Sequence, residues 1–495
     1  MKHVYAFDLG ASNGRLIMSS FDGEKLYNEE IHRFTNFPIH KSNNLFWDFP
    51  GMIQELKNGM AKKIRNDSIE IESLGVDSWG VDFGLLSKEG HLLQNPMSYR
   101  DSQFINGMGG VLTNISKRDL FQRTGVETAP INTISQLYFM KLYHPHLLED
   151  ADALLLTPNL INYFFTGEKV NEFTITTTTQ LYNFAEKNWD FQLLQKLNLP
   201  TKILTPITNS STVLGNTLSH IHDDLGIRPI KVINVAGHDT ASAVAALPIE
   251  KKNSVFMSCG TWTLIGVQVK DPIVTDLSFL WGFTNEGMID GEFRLQKNNM
   301  GLWILQQCRK IWAKEGDTFS YTEENCILQN TTSINSLIDP DDFVFFNPEN
   351  MVEEVQEYCR NRNQVVPEKK GEIIRCVLES LALKYRWIIE KLEQITGEQL
   401  YGIYMGGGGI QNEWLCQFTA NATNRLVHTG PVEASAIGNG LSQWITLGEI
   451  KNLDEGREIV KKSFSTKIYV PEDQNDWQEK FYTFNKLLKE RWEDE

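Results

Sequence analysis

The sequence predicts an α/β protein built from two large domains, each of which opens on a β-hairpin. A strand, a turn of small residues and a second strand occur at Val4–Phe21. The same order recurs at Val255–Ile265, with Gly260 lying 250 positions after Gly10. A strand, a glycine run and a helix follow one another near Leu400–Asn412. Strand and helix patterns mixed in this way are typical of α/β folds, and 495 residues with 41% apolar residues are enough for two cores.

The N-terminal half begins with three predicted strands joined by tight turns. The first two are Val4–Gly10 and Arg15–Phe21, and a third is expected at Lys25–Tyr27. A helix is predicted near Met52–Ile64 and a strand with an acidic end at Ile71–Asp77.

The middle of the chain, from about residue 112 to 200, has mainly helical patterns. Within it, the uncharged run Thr174–Gln180 is expected to be a loop or a strand edge. A strand at Lys231–Gly237 leads into a small-residue helix at Ala241–Ala246. The proline and charges of Leu247–Asn253 indicate a domain boundary there.

The last third contains the most regular helical pattern of the chain. Apolar residues step by threes and fours through Glu372–Thr396, and Gly397 is a plausible stop signal. A strand is predicted at Leu400–Met405, and a surface helix at Trp477–Trp492.

Composition excludes several classes of function. The net charge of −16 argues against binding to nucleic acid polymers or anionic membranes, because both interactions need clustered Lys and Arg. None of the six cysteines forms a C-x-x-C pair, which argues against structural zinc and suits a reducing compartment. The apolar run Val4–Phe7 is too short for a signal peptide, and no stretch approaches the length of a membrane span. We therefore expect a cytoplasmic protein.

The first candidate site is the turn of the N-terminal hairpin, Gly10–Gly14. Backbone amides of such a turn can hold phosphate, with Arg15 facing the phosphate and Asp8 contacting Mg²⁺. An ordinary hairpin with a surface arginine is the alternative. The same residues match the nucleophile elbow of hydrolases at Ser12, but that motif requires a helix where the pattern here predicts a strand.

The second candidate is Gly237–Thr240, where a strand gives way to a helix. Ligands of open α/β sheets collect at such strand ends. The carboxylate of Asp239 could accept a hydroxyl proton, while His238 and Thr240 could hydrogen-bond a polyol. The alternative is that Asp239 only caps the helix.

Two further turns resemble nucleotide contacts. Thr261 in the run Ser258–Thr261 could hold phosphate, or the run could be a plain turn in which Cys259 is a packed thiol. The glycine run Gly406–Gly409 could lie flat against adenine or ribose, or could be a simple connector.

An acidic cluster of Asp77, Asp82 and Asp101 suits a solvated surface. Trp79, between the first two, also suits the apolar face of a sugar.

The order of these motifs resembles that of the FGGY carbohydrate kinases over nearly the whole chain. It consists of Asp8–Arg15, then Gly237–Thr240, then Ser258–Trp262, then Gly407–Gly409. The resemblance implies an α/β fold of two ribonuclease-H-like (actin-like ATPase) domains flanking a catalytic cleft. Residues 1–248 would hold the sugar and the catalytic base, and residues 249–495 would hold ATP.

The resemblance also implies a role for individual residues. Asp239 would be the catalytic base, and Asp8 would contact the metal. The sugar pocket would comprise Gly80, His238, Asp239, Thr240 and Asn298. ATP would contact Ala11, Ser12, Asn13, Gly14, Arg15, Thr261, Gln306 and Gly408. Cys259 departs from the serine usual at its position, which removes no proton acceptor.

Further stretches narrow the resemblance to family members that phosphorylate L-rhamnulose. They are Ile31–Phe34, Gly75–Phe83, Tyr99–Ser102, Lys297–Trp303 and Gly430–Ser435. The implied reaction converts L-rhamnulose and ATP to L-rhamnulose 1-phosphate and ADP, with Mg²⁺. Another ketose such as L-fuculose, or a non-enzymatic actin-like nucleotide-binding protein, remains an alternative, and the oligomeric state stays open.

Overall fold

The computed structural model describes residues 1–41, 43–64, 69–250 and 253–493, so Lys251 and Lys252 of the predicted boundary lie outside the described residues. The chain divides into two compact units, each assembled from three segments. Unit 1 comprises Met1–Ala246, Val269–Leu295 and Ala434–Ser463, and unit 2 comprises Leu247–Gln268, Gln296–Glu433 and Phe464–Glu495. The predicted division after residue 248 stays a prediction.

The strands, in chain order, are β1 (Lys2–Leu9), β2 (Asn13–Phe21), β3 (Leu26–Thr35), β4 (Ile39–Lys41), β5 (Asn44–Phe46), β6 (Ser73–Ser78), β7 (Phe83–Leu86), β8 (Ala153–Leu156), β9 (Asn171–Glu172), β10 (Tyr182–Asn183), β11 (Asn188–Trp189), β12 (Ile207–Thr208), β13 (Thr212–Asn216), β14 (Lys231–Asn234), β15 (Val255–Cys259), β16 (Trp262–Val269), β17 (Thr284–Gly287), β18 (Phe293–Met300), β19 (Gly402–Gly406), β20 (Leu426–Thr429) and β21 (Ile468–Tyr469).

The α-helices are α1 (Phe49–Ile64), α2 (Phe104–Leu112), α3 (Lys117–Thr124), α4 (Thr133–Tyr143), α5 (Pro145–Asp150), α6 (Thr157–Thr166), α7 (Phe173–Thr176), α8 (Phe191–Lys196), α9 (Ser219–Leu225), α10 (Asp239–Ala245), α11 (Asp276–Leu280), α12 (Trp303–Lys314), α13 (Tyr321–Gln329), α14 (Met351–Asn361), α15 (Lys370–Thr396), α16 (Glu413–Thr423), α17 (Ala434–Thr446), α18 (Leu453–Ser463) and α19 (Gln474–Glu493). Short 3-10 helices occur at Thr177–Thr179, Phe343–Phe345 and Gly408–Gln411.

The main sheet of unit 1 has six strands in the order β13-β14-β6-β1-β2-β3. The hairpin of β1 and β2 is antiparallel, while β6 runs parallel to β1 and β14 runs parallel to β6. Residues Val4–Leu9 of β1 are all buried, as expected for a central strand covered on both faces. Helix α17 packs against β1 and β6, and α6 packs against β6 and β14.

Helix α17 joins the sheet through polar side chains as well as apolar ones. Asn439 donates a hydrogen bond to Asp77 Oδ2 at 2.7 Å, and Gln443 donates one to the carbonyl of Tyr5 at 2.9 Å. Gln443 also accepts a hydrogen bond from Ser73 Oγ at 2.7 Å. These buried groups need partners because an unsatisfied polar group in the core is costly. They therefore fix the register of α17 on the sheet.

Within unit 2 the strands run in the order β16-β15-β19-β20-β21. The hairpin of β15 and β16 is antiparallel, and β19 runs parallel to β15. Helix α15 packs against α16 and ends where Gly397 adopts φ 70°, a left-handed conformation that favours glycine at a helix end.

Both predicted hairpins are confirmed, as are the third strand and the long helix ending at Thr396. The expectation for Thr174–Gln180 was wrong. Its residues are all buried, and Thr174–Thr179 lie in α7 and the following 3-10 helix. Thr176, Thr177, Thr178 and Thr179 donate their hydroxyl protons to backbone carbonyls one turn back. Internal hydrogen bonding lets the hydroxyls enter the core. Among the described helices, none combines the length and the apolar character needed to cross a membrane.

Candidate active site

The N-terminal hairpin positions the first set of predicted residues. Asp8 and Arg15 face each other across β1 and β2, and Arg15 donates two hydrogen bonds to Asp8 Oδ2, from Nε at 2.9 Å and Nη2 at 2.7 Å. The side chain of Asp8 is only 5% exposed, whereas that of Arg15 is 20% exposed. The ion pair therefore holds the positively charged guanidinium of Arg15 at the base of the turn.

The turn itself is held by backbone bonds and stays open to solvent. Gly10 N–H donates to Asn13 O at 2.9 Å, and Asn36 binds the turn from outside through the carbonyls of Gly10 and Ser12. Ser12 is exposed, and Ala11 and Asn13 are partly so. A Cβ on Gly14 would meet the ring of Phe34 at 2.3 Å, which explains why the position holds glycine.

Three parallel strand ends of unit 1 bring the predicted catalytic residues to one edge of the sheet. Asp8 on β1 lies beside Asp77 on β6, and Ser78 forms a parallel bridge with His238 just beyond β14. Ser78 N–H donates to the carbonyl of Gly237 at 2.9 Å, which ties the start of α10 to β6. Ligands of α/β sheets bind at such carboxyl ends.

Burial changes the acidity of two carboxyl groups at this edge. Burial raises the pKa of Asp77 well above its usual range, and the neighbouring charges of Asp8 and Asp239 raise it further. The pKa of Asp239 is also raised, mainly by burial, although the charge of His238 opposes the rise. The Asp239 side chain remains 30% exposed, so a ligand can reach it. A reachable carboxylate of raised pKa is typical of a general base.

His238 links Asp239 to two buried charged residues. Its Nε2 lies 3.4 Å from Asp239 Oδ1. Its Nδ1 lies 3.0 Å from Glu286 Oε2 on β17 and 3.1 Å from Arg294 Nη2 on β18. Arg294 also donates to Glu286 Oε2 at 2.9 Å. Thr240 donates to Asp239 Oδ1 at 3.1 Å.

Glu172 supports the same loop from behind. Its Oε2 accepts hydrogen bonds from Gly237 N–H at 3.0 Å and from Thr174 Oγ1 at 2.6 Å, while Ser210 Oγ donates to Oε1. Thr174 Oγ1 lies 3.1 Å from the amide of His238 and accepts its hydrogen bond. Burial raises the pKa of the Glu172 carboxyl. The Gly237–Thr240 loop is thus built on a buried polar network.

Gly80 lies in a strained turn next to a buried carboxylate. Val81 adopts φ 70°, which is unusual for a β-branched residue and is the kind of strain found at functional sites. Asp82 Oδ2 accepts from Trp47 at 2.7 Å and from Trp79 at 2.9 Å, and burial raises its pKa to about 6. Asp82 thus orients the aromatic side chains beside Gly80.

The interpretation of Asp77, Asp82 and Asp101 as a solvated surface was wrong, because all three are buried and accept hydrogen bonds from the protein. Asp77 is bound by Asn439 from α17, and Asp82 is bound by tryptophans. Asp101 accepts from Asn44 Nδ2 at 3.0 Å and from the amide of Leu45 at 2.9 Å, and so organises a loop.

Unit 2 brings two of its predicted ATP residues, Thr261 and Gln306, together at one hairpin turn. Thr261 Oγ1 donates to Gln306 Oε1 on α12 at 3.2 Å. The amides of Gly301 and Leu302 bind the carbonyls of Thr261 and Gly260 at 3.1 and 3.0 Å, so the start of α12 is fixed to the turn.

The glycine run packs on the same hairpin. A Cβ on Gly407 would meet the carbonyl of Cys259 at 2.7 Å, and one on Gly409 would meet the Cys259 side chain at 2.8 Å. Gly408 is exposed, with open space where a Cβ would be. Cys259 is a buried free thiol with a raised pKa, as expected of a packed cysteine. Asn298 lies on β18 and is exposed.

The described residues contain no group of three or more His, Cys, Asp or Glu side chains arranged to hold a metal ion. Mg²⁺ needs less than this, because it is usually bound by one or two carboxylates together with waters and substrate phosphates. Asp8 supplies one carboxylate at the base of the hairpin turn, whereas the neighbouring Asp77 is fully buried and has a raised pKa. A single carboxylate beside the turn fits a phosphate-bound Mg²⁺.

Comparison with known proteins decides the family. The family model described as "FGGY family of carbohydrate kinases, N-terminal domain" matches residues 3–246, and the model of the corresponding C-terminal domain matches residues 255–447. The chain belongs to the FGGY family of carbohydrate kinases. It is an ATP-dependent sugar kinase of two FGGY domains with a mixed α/β fold.

Individual FGGY relatives cover nearly the whole chain. A rhamnulokinase of Bacteroides thetaiotaomicron is 37% identical over 99% of this chain and 100% of its own length. A rhamnulokinase of Oceanobacillus iheyensis is 39% identical over 94% of this chain and 97% of its own. A xylulose kinase structure from Lactobacillus acidophilus superposes with a TM-score of 0.81 over 98% of both chains at 16% identity, which shows the shared fold.

Sequence reasoning missed Glu172, Glu286 and Arg294. None lies in a glycine-rich or short-spaced motif, and Glu286 and Arg294 lie about fifty residues from the histidine that they contact. No signal in the sequence pointed to them, because the uncharged threonine run after Glu172 indicated a loop or a strand edge.

Proposed function

We propose that this kinase phosphorylates the 1-hydroxyl of L-rhamnulose, with ATP as phosphoryl donor and Mg²⁺ as its counterion, in L-rhamnose catabolism. The observation that carries the proposal is the half-buried Asp239 carboxylate of raised pKa, set beside His238 at the carboxyl edge of the sheet. The full-length similarity to rhamnulokinases supports the choice of sugar.

We propose Asp239 as the general base. The C1 hydroxyl of the ketose donates its proton to the Asp239 carboxylate as the alkoxide oxygen attacks the γ-phosphorus of ATP. The bond between that phosphorus and the β–γ bridging oxygen breaks, and ADP leaves. Phosphoryl transfer depends mainly on alignment and charge stabilisation, so a positioned carboxylate suffices as base.

The other predicted residues take supporting roles in the proposal. Gly80, His238, Thr240 and Asn298 would bind the sugar. The hairpin residues Ala11, Ser12, Asn13, Gly14 and Arg15, together with Thr261, Gln306 and Gly408, would bind ATP. Asp8 would contact Mg²⁺, which supplies charge neutralisation on the phosphates. Residues 1–248 would form the sugar domain and 249–495 the ATP domain, in a cytoplasmic enzyme.

A coupled assay of ADP release tests the proposal. L-Rhamnulose, L-fuculose, L-ribulose, D-xylulose and glycerol are compared at equal concentration, with a sugar-free blank for ATP hydrolysis. We expect the highest kcat/KM with L-rhamnulose. A preference for another ketose would assign a different substrate but leave the proposed phosphoryl transfer in place. ATP hydrolysis that no sugar stimulates would refute the proposed function.

A pair of aspartate variants tests the base. We expect Asp239→Asn to lower kcat by about 10²–10⁴-fold, which is what a general base is worth in rate, while the Kd of ATP stays within about three-fold. Asp276→Asn is the matched control, since Asp276 is likewise the first residue of a helix but is exposed. Near-normal kcat in Asp239→Asn would refute the assignment.

A further inference from the structure

The imidazole of His238 contacts a fully buried arginine, Arg294, through its Nδ1 atom. Arg294 has no exposed side-chain surface, and the Glu286 side chain is only 7% exposed. A buried guanidinium is costly unless it is paired, so its retention needs a reason. The hydrogen bond to Glu286 supplies part of the pairing. The same Nη2 also reaches His238 Nδ1 at 3.1 Å, in a geometry that allows donation.

This contact constrains where the imidazole carries its proton, and it competes with Glu286 Oε2, which lies 3.0 Å from the same Nδ1. Arg294 has only donors and stays protonated, so a hydrogen bond from Nη2 requires a bare Nδ1. The single proton of the neutral ring must then sit on Nε2. That nitrogen lies 3.4 Å from Asp239 Oδ1, on the side of the proposed base.

We infer that Arg294 is a positioning residue that fixes His238 as its Nε2–H tautomer, so that the imidazole donates toward the Asp239 carboxylate and the substrate hydroxyl beside it. The inference rests on the proposed function for its consequence in catalysis, but the tautomer itself is a property of the unliganded protein. Glu286 has a different part, because it compensates the charge of Arg294.

The two charged residues therefore have opposite effects on the ring. Without Arg294, the carboxylate of Glu286 at 3.0 Å would draw the proton to Nδ1 and leave a bare Nε2 facing Asp239. Without the Glu286 charge, Arg294 would still donate to Nδ1. A structural role alone predicts that Arg294→Gln and Glu286→Gln behave alike, whereas a positioning role separates them.

Nitrogen-detected NMR of ¹⁵N-histidine-labelled protein reads the tautomer directly, with His238→Gln used to assign the signal. Near pH 8 we expect wild type and Glu286→Gln to show the proton on Nε2, and Arg294→Gln to show it on Nδ1. A proton on Nδ1 or on both nitrogens in wild type overturns the inference, even if Arg294→Gln fails to fold. Arg294→Lys, which keeps a donor and a charge, should restore the Nε2 proton.

Kinetics test the consequence separately. Displacement of a reacting group can cost about 100-fold, so we expect kcat of Arg294→Gln to fall about ten- to a hundred-fold with KM for ATP unchanged. Arg123→Gln, which breaks the Arg123–Asp190 pair of the same unit, is the control and should keep kcat. Normal kcat in Arg294→Gln overturns the inference. If no ketose is phosphorylated by wild type, the proposed function fails while the NMR result still decides the tautomer.

Discussion

The crossing of α10 and α17 offers a demanding test of the structure through Gly438→Ala. A Cβ at Gly438 would lie 1.7 Å from the carbonyl oxygen of Ser242, and 2.5 Å from its carbonyl carbon. The contact must open by about 1.7 Å to reach the 3.4 Å of ordinary contact. Backbone cannot rotate away, so the two helices must move apart.

The expected magnitude follows from two opposing effects. Overpacking costs about 1–3 kcal/mol, and a backbone clash belongs at the upper end. Alanine in a helix interior regains about 1 kcal/mol relative to glycine. The free energy of unfolding should therefore fall by about 2 kcal/mol. Because α10 begins at Asp239, kcat should fall as well.

Gly440→Ala on the same helix is the control. Its Cβ would meet Ser19 Oγ at 3.1 Å, a side-chain atom that can shift by a few tenths of an ångström. Urea unfolding followed by tryptophan fluorescence should show a lower midpoint for Gly438→Ala and an unchanged or higher one for Gly440→Ala. Equal midpoints for the two variants would refute the packing described for this crossing.

Three further predictions concern the charged groups. The kcat/KM for the ketose should fall as the pH falls through the raised pKa of Asp239, because the base must be ionised. The acidic limb of the pH–rate profile should therefore lie above the usual carboxyl range, and a limb at pH 4 or below would contradict this. The pKa of Asp77 is raised in the folded state, so its contribution to stability is lost as the pH rises from the unfolded pKa of about 3.9 through the folded pKa. Asp77→Asn should therefore show a smaller drop in urea midpoint between pH 5 and pH 8 than wild type. An unchanged drop would contradict this. Arg15→Gln should raise the KM for ATP about ten-fold or more, as expected for the loss of a charge-assisted hydrogen bond. Initial-rate measurements should show an unchanged KM for the ketose. A selective rise in the KM for the ketose would instead assign Arg15 to the sugar site.

The sequence was informative where local pattern determines structure. The hairpin ending at Phe21 and the helix ending at Thr396 follow from periodicity and turn residues, and both formed as predicted. Asp239 stood out because a strand, a small motif and a helix occur in order around it.

Other features depend on contacts between distant segments and could not be predicted. Glu286 and Arg294 become part of a site only when β17 and β18 lie beside the loop of His238. The threonine run after Glu172 gave a polar pattern that indicates a surface, but hydroxyl bonds to the preceding turn allow it to be buried.

The three-segment composition of unit 1 has a consequence for synthesis on the ribosome. Gln443 and Asn439 reach β1 and β6 from more than 360 residues along the chain. Until α17 emerges, the carbonyls of Tyr5 and Gly75 lack these partners. Because translation adds about 5–20 residues per second, α17 is synthesised roughly twenty seconds or more after the first strands. A fragment that stops near residue 248 would expose that same surface permanently, so we expect it to need the C-terminal segment, supplied in trans, to become stable.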